Sequence, residues 1–245
     1  MAIIEIQTGT TYEGCLLCGE ALVNFSDAIE MKCAFCGKIE KATSHCTEMH
    51  FVCDVCQHLT AGDVVQSICL NSKHTDPIAL AVEIMSSPAV KMHGPEHHFI
   101  VPAVLMTCMN NKHGDFPDLK ERIDFVRKIA TETVPTCSYD LRTCGAAIGT
   151  GIFLEMLNNH DADTEDEWSL SKNIVSDSLD KIAESGGPRC CKRDTYLALE
   201  ASIAFLRDKY AIDLPQSQAK CTFSLRNNSC KREDCNFYNM SFSLV

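Results

Sequence analysis

One stretch decides the fold of the first part of the chain, CLLCGEALVNFSDAIEMKCAFCGKIEKATSHCTEMHFVCDVC (residues 15–56). The thiolates of a CxxC motif can bind one ion from a tight turn, and a glycine after them permits a left-handed backbone that directs amide N–H groups at sulfur. Two CxxCG motifs together supply the four sulfurs of a tetrahedral site, with zinc as the default metal and a single iron as the alternative. These four candidate ligands are Cys15, Cys18, Cys33 and Cys36.

A second complete set of candidate ligands follows in the same stretch. It comprises three sulfurs and one imidazole, from Cys46, His50, Cys53 and Cys56. His45 and His58 are further candidates. The spacing leaves open whether the eight ligands pair sequentially or in an interleaved, cross-braced manner. Because ligands are plentiful, we expect both ions to be structural and to hold together a segment too small for its own core.

The composition excludes several classes of protein. The 245 residues carry 22 Lys and Arg against 33 Asp and Glu, a net charge of −11, so binding to nucleic acid or anionic membranes is not expected. The longest strongly apolar stretch, residues 99–106, is far shorter than the roughly 20 residues of a membrane span. The opening residues, MAIIEI, lack the features of a secretory signal. We therefore expect a cytoplasmic protein whose 16 cysteines are metal ligands or redox groups rather than disulfides.

The chain divides into a metal module at residues 1–58, a middle part at 59–212 and a tail at 213–245. Apolar residues in the middle part recur at helical spacing, with proline and glycine at the ends of the runs. Six helices are predicted, beginning near residues 77, 95, 117, 144, 168 and 191. The predicted fold is therefore mainly α, a helical domain with an N-terminal zinc-ribbon-like module and a short cysteine-containing C-terminal tail.

Cysteines of the middle part stand at predicted helix starts. Cys144 and the pair Cys190 and Cys191 each have basic residues nearby, and both a helix N-terminus and cations favour thiolate over thiol. We expect Cys137, Cys144 and at least one of the pair to meet in an iron–sulfur or thiol redox centre, with Cys144, Cys190 and Cys191 as catalytic or cofactor-binding residues. The small residues of CGAAIGTG allow another helix or a cofactor to approach closely. The alternative is inert buried cysteines with tight helix packing.

Three histidines form a second polar group, in the motif MHGPEHH (residues 92–98). His93, His97 and His98 lie beside Glu96 at a predicted helix start. They are candidates to bind a cofactor, and His97 is also a candidate catalytic proton carrier. We expect at least one of the three to face the same cavity as Cys144 and the Cys190–Cys191 pair. The alternative is that they bond backbone carbonyls where two loops cross.

The tail contains three further candidate metal ligands, Cys221, Cys230 and Cys235. Their order resembles a CCCH zinc finger with altered spacing, but Tyr238 stands near the place of the expected histidine. Three cysteines with a vacancy also suit an iron–sulfur cluster, or a zinc ion whose fourth ligand comes from elsewhere in the chain.

The order of these motifs resembles an uncharacterised cysteine-rich family of methanogenic archaea and other strict anaerobes. The resemblance covers nearly the whole chain and rests on CxxCG, CxxCG, C-x3-H-x2-C-x2-C, MHGPEHH, CGAAIGTGIF and GGPRCCKRD. It implies an anaerobic, cytoplasmic setting, and a protein partner or anaerobic enzyme complex, since relatives occur beside methyltransferase and radical-enzyme systems. CGAAIGTG also resembles, more weakly, the C-GCAxxG-C-C group of redox proteins, although Cys144-Gly-Ala stands where that group has Gly-Cys-Ala.

Two functions from different classes follow. The first is a metal-binding protein of anaerobic redox, sulfur or cofactor handling, with structural zinc and an iron–sulfur or thiol centre in the helical domain. The second is a non-catalytic zinc-ribbon adaptor that docks on a larger anaerobic enzyme complex. The sequence does not decide between an enzyme and a binding protein.

Overall fold

The computed structural model describes residues 12–133, 143–158 and 165–239. This part of the chain forms seven α-helices and one two-stranded sheet. The helices are α1 (Ala61–Asn71), α2 (Pro77–Ser86), α3 (Glu96–His113), α4 (Leu119–Thr133), α5 (Gly145–Leu157), α6 (Glu165–Ser185) and α7 (Cys191–Tyr210). The mainly helical fold class is thereby confirmed. None of these helices is long and apolar enough to cross a membrane.

The N-terminal module, residues 12–58, is built around an antiparallel hairpin. Strand β1 (Leu22–Lys32) pairs with β2 (Ile39–Cys46), and a bulge lies in β1 between Asn24 and Ile29. One CxxC turn precedes β1 and the other connects the two strands. The glycines after these turns, Gly19 and Gly37, have φ of 81° and 72°, the left-handed conformation that the motif predicts.

The N-terminal caps of α2 and α1 differ in how well the sequence predicts them. Asp76 caps α2, its Oδ1 accepting hydrogen bonds from the N–H groups of Ile78 and Ala79 at 2.8 and 3.2 Å, as the Asp-Pro signal predicts. Helix α1 was not among the six predicted helices. Its signal is a capping box, in which Thr60 and Asp63 exchange hydrogen bonds between side chain and backbone.

Helix α3 is the centre of the helical domain and is packed by α1, α2, α4, α5 and α7. Every residue from 97 to 109 is buried, so this helix lacks the polar face of a surface helix. The small-residue face of α5 lies against it. A Cβ on Gly149 would stand 2.8 Å from the His98 carbonyl oxygen and 2.9 Å from Pro102 Cδ. The small residues of α5 thus admit a neighbouring helix.

The N-terminal module shares its core with the helices. Leu16 and Phe35, each the first or second residue inside a CxxC turn, are 0% and 5% exposed and belong to the same apolar cluster as α1–α3. Hydrogen bonds fix both turns to the helical domain. The Ser87 hydroxyl donates to the Leu16 carbonyl at 2.6 Å, and the Ser67 hydroxyl donates to the Phe35 carbonyl at 3.3 Å.

The tail packs against α7. Phe223 and Phe237 are buried in the shared core. The Phe237 ring meets the Tyr196 ring of α7 edge-on at 5.3 Å between centroids, and the Lys192 ammonium lies 4.7 Å from the centre of the Phe223 ring. The start of the tail is also held, since Leu214 is buried.

Candidate metal and thiol centres

The first ligand group joins the start of the module to the end of its hairpin. The ligand atoms of four residues lie within 4.8 Å of one another, those of Cys15, Cys18, Cys46 and His50. The Cys18 sulfur is 3.8 Å from the Cys46 sulfur and 3.4 Å from His50 Nδ1. Sulfurs on a tetrahedral zinc ion with Zn–S bonds of about 2.3 Å stand about 3.8 Å apart, so the spacing fits one ion.

The second ligand group lies at the other CxxC turn. Four sulfurs lie within 4.8 Å of one another, those of Cys33, Cys36, Cys53 and Cys56, with Cys36 and Cys53 at 3.7 Å. Burial opposes ionisation of Cys33, but the backbone N–H groups of Cys53, Cys36 and Phe35 point at its sulfur and together lower its pKa to about 7. This thiol is thus prepared to bind a cation as thiolate.

The two groups are interleaved along the chain. The two CxxCG motifs do not complete one S4 site. Instead the pair at residues 15–18 joins Cys46 and His50, and the pair at 33–36 joins Cys53 and Cys56. The physical reason is the hairpin, whose register sets Leu22 opposite Cys46 and so returns the chain to the first turn. Of the two pairings that the spacing left open, the structure has the cross-braced one.

Both groups are closed sets. Each offers four ligands, which is the full coordination of a structural zinc ion. Burial raises the pKa of the thiols of Cys15 and Cys56 above its ordinary value, and a bound cation reverses that preference because coordination deprotonates a thiol. The residues therefore fit two metal ions of structural type, and neither His45 nor His58 belongs to either group.

The cysteines at helix starts separate into different surroundings. Cys144 is the N-cap of α5 and Cys190 the N-cap of α7. The Cys144 sulfur lies 4.0 Å from Asp194 Oδ2 in the first turn of α7, so these two helix starts approach each other. Cys191 is buried, at 4% exposure. Cys137 lies outside the described residues, and the expected meeting of Cys137, Cys144 and the pair therefore stays a prediction.

The histidines sit in the packed region between α3 and its neighbours. His97 is 1% exposed. Its Nδ1 is 2.9 Å from the Thr195 hydroxyl of α7, and its Nε2 is 3.1 Å from the Lys91 carbonyl. Burial, with repulsion from Lys192, lowers its pKa to about 3, so His97 is a neutral ring that joins two elements. The bond to a backbone carbonyl is the one that the structural alternative expects.

His98 and His93 complete the group. The His98 ring is buried against α5, where a Cβ on Gly145 would collide with it. His93 is half-buried, and burial and the nearby Arg189 lower its pKa. Asn227 of the tail also lies beside His93.

The first turn of α7 buries three charged side chains. Lys192 is 0% exposed and donates to the carbonyls of Met85 and Val90 at 2.8 and 3.0 Å. Burial, with repulsion from Arg226, lowers its pKa to about 7. Arg193, 5% exposed, binds the Asp194 carboxylate at 3.1 Å through Nε and a terminal nitrogen. Its other terminal nitrogen is buried and has no hydrogen-bond partner among the described residues.

The three tail cysteines share a cavity with Cys190. The space between the start of α7 and the tail is lined by four cysteines, Cys190, Cys221, Cys230 and Cys235. Sequence reasoning left the fourth partner of the tail cysteines open and assigned Cys190 to a different group. The sequence signal for it is the cysteine pair at 190–191 directly before a helix. We call this space the four-cysteine cavity.

Residues 65–238 match a family of unknown function (DUF5714). The match spans more than two thirds of the chain. The chain belongs to this family. The expectation of an uncharacterised domain family is thus confirmed. The DUF5714 segment begins within α1, leaves out both ligand groups of the module, and includes Cys190 and all three tail cysteines. Searches of curated proteins and of solved structures gave no match.

Proposed function

We propose that the protein binds two structural zinc ions in its N-terminal module and acts in redox, sulfur or cofactor handling through the thiols of its helical domain and tail. The observation that carries this proposal is the four-cysteine cavity. Its thiols are surplus to the two closed ligand groups and come from distant parts of the chain. Cysteines grouped in this way are candidates for metal binding or redox chemistry.

The zinc part of the proposal is supported by ligand type and number. Thiolate and imidazole ligands in tetrahedral sets favour zinc, and closed sets favour a structural role over a catalytic one. A single iron ion is the alternative at the second ligand group, because all four of its ligands are sulfurs. An anaerobic, cytoplasmic setting is part of the proposal, and rests on the resemblance to proteins of methanogens and other strict anaerobes.

Metal analysis of anaerobically purified protein tests the proposal. We expect about two zinc ions per chain from the two closed groups, and a second signal from the remaining thiols, seen as visible absorbance or as reversible oxidation. Cys36→Ser should remove one zinc ion. Cys69→Ser is the matched control, since Cys69 is a buried cysteine outside both groups. Unchanged zinc content in Cys36→Ser would contradict the zinc assignment. Thiols outside the two ligand groups that bind no metal and do not oxidise reversibly would contradict the proposed redox function.

A non-catalytic adaptor is the second candidate function, favoured by the surface of the module. Among the described residues nine large apolar side chains are exposed, and six of them lie between residues 22 and 55. Ile39 and Val55 are the most exposed of these, at 64% and 81%. Clustered exposed apolar side chains are typical of contact surfaces. A colourless protein with inert thiols in the four-cysteine cavity would favour this adaptor over the redox function.

A further inference from the structure

We propose that Cys190, Cys221, Cys230 and Cys235 bind a [4Fe–4S] cluster in the four-cysteine cavity. This inference rests on the proposed function and names the cofactor of its thiol centre. A four-cysteine set is the ordinary protein ligation of such a cluster. Here one ligand would come from the N-cap of α7 and three from the tail.

The spacing of the sulfurs distinguishes this cavity from the two zinc-type groups. In each of those groups all four ligand atoms lie within 4.8 Å of one another. The four cavity cysteines, all within the described residues, contain no set of three sulfurs that close. A single ion draws its ligands together, whereas the iron and sulfide atoms of a cluster stand between its thiolates and keep them apart. The cavity sulfurs therefore lack the close spacing of a single-ion group.

Backbone N–H groups point at the cavity sulfurs as they do in the zinc-type groups. The Phe223 N–H donates to the Cys221 sulfur at 3.3 Å, and the Arg232 N–H donates to the Cys230 sulfur at 3.4 Å. In the module the Cys53 N–H donates to the Cys33 sulfur at 3.4 Å. Such bonds favour thiolate over thiol and tune the potential of a bound cluster. The tail turns are thus shaped as ligand loops.

Two buried donors without partners line the same cavity. Within the described part of the chain, one terminal nitrogen of Arg193 and the Tyr196 hydroxyl have no hydrogen-bond partner, and these residues are 5% and 0% exposed. An unpartnered buried donor costs about 1–3 kcal/mol, so native proteins rarely leave two at one place. Cluster sulfides and cysteine thiolates are anionic acceptors, and a bound cluster would give both donors a partner.

The rest of the lining suits a cluster that exchanges electrons rather than one that binds substrate. Met92, Phe223 and Phe237 contribute apolar walls, which limit access of water. Binding would release four thiol protons, one from each cysteine, and form four iron–sulfur bonds. Because every iron would then carry a cysteine, no iron is left open for a substrate.

Chemical reconstitution with equal amounts of ferrous and ferric iron and with sulfide under anaerobic conditions tests the inference. The full chain and the variants Cys190→Ser and Cys191→Ser are compared. Cys191 is the matched control, as it is adjacent, buried and outside the cavity lining. We expect iron and acid-labile sulfide in equal amounts and a broad absorbance near 400 nm, lost by more than tenfold in Cys190→Ser and kept in Cys191→Ser. Cys230→Ser repeats the test in the tail, away from the α7 helix start.

The outcomes separate this inference from the proposed function. Equal loss of iron in Cys190→Ser and Cys191→Ser, with both variants folded by circular dichroism, would overturn the ligand assignment. A third zinc ion lost in Cys190→Ser would overturn the cluster and the redox function together. Thiols that bind no metal but form a reversible disulfide would overturn the cluster and leave the redox function standing. In every variant the two zinc ions of the module should remain.

Discussion

Burial decides the chemistry of the thiols at the start of α7. Sequence reasoning expects thiolates there because a helix N-terminus and basic neighbours favour them. In the structure, burial is the larger effect and raises the pKa of Cys190. The backbone N–H and the positive charge of Arg193 lower this pKa, but they only partly offset the effect of burial. Burial likewise raises the pKa of Cys221 to about 11. These thiols are therefore poor free nucleophiles, and a bound cation is what would ionise them.

His97 gives a prediction for the stability of the protein at acid pH. Its pKa is about 3 in the folded chain, lowered by burial and by the facing charges of Lys192, His98 and His93, against about 6.5 when unfolded. The unfolded chain therefore binds a proton first as the pH falls below about 6.5. His97 should thus remove about 2 kcal/mol of stability between pH 7 and pH 5.

The variant His97→Gln isolates this effect. Glutamine keeps an uncharged donor and acceptor, so we expect a loss of about 1 kcal/mol at pH 7 and a weaker dependence on pH. Urea unfolding at pH 7 and pH 5 measures how much stability each protein loses on acidification. Subtracting the loss of the variant from that of the wild type removes the contribution of the other titrating groups. If wild type and variant lose equal stability on acidification, His97 is not the buried neutral group described above.

Helix packing explains the glycines of α5. Gly149 and Gly151 face different neighbours, the backbone and Pro102 of α3 in one case and Val175 of α6 in the other. A Cβ on Gly151 would stand 2.8 Å from Val175 Cγ2, a methyl group on a side chain that is only partly buried. At Gly149 the nearest atom is the His98 carbonyl oxygen, which cannot move without the helix.

Alanine substitutions at the two glycines should therefore differ. Alanine gains about 1 kcal/mol of helix propensity at either position, so the difference reports packing alone. We expect Gly149→Ala to lower the free energy of unfolding by about 1–3 kcal/mol and Gly151→Ala to be at least about 1 kcal/mol less harmful. Thermal or urea unfolding measures both. Equal effects would mean that α5 does not approach α3 as closely as described.

Periodicity and helix caps predict individual helices well, but they do not predict which residues from distant parts of the chain come into contact. Asp-Pro before α2 and the apolar stripe of α7 are local signals, because they depend on residues a few positions apart. The cross-braced pairing is not local, since it depends on the hairpin register that sets Leu22 opposite Cys46. The partner of the tail cysteines was out of reach for the same reason, because Cys190 and Cys221 are joined by the packing of α7 and not by spacing.

The module and the helices form one packed body. Phe35 extends from the CxxC turn of the second ligand group into the core around α1. A metal ion bound by that group would therefore hold a loop that is also part of the helical domain. Folding of the helices should therefore depend on a residue of the module.

Phe35→Ala tests this dependence. We expect it to lower the free energy of unfolding of the helices by about 3–5 kcal/mol, the usual cost of removing a buried phenylalanine. The helical circular dichroism signal in a urea titration measures it, and zinc analysis checks that the turn still binds its ion. Leu22→Ala is the control, because Leu22 belongs to the same module but is 47% exposed. An unchanged helical transition in Phe35→Ala would show that the module folds separately.

For the zinc ions and the cluster proposed above, the positions of the ligands along the chain impose an order of acquisition during protein synthesis. All eight ligands of the module are made by residue 56, whereas the four-cysteine cavity is incomplete until residue 235 has emerged. Zinc can thus be captured while the ribosome is still translating the helices. The cavity can be filled only afterwards, once the tail has folded back on α7. A newly made chain would pass through a zinc-loaded intermediate with open cavity thiols, and this is the form that a cluster-delivery protein would have to recognise.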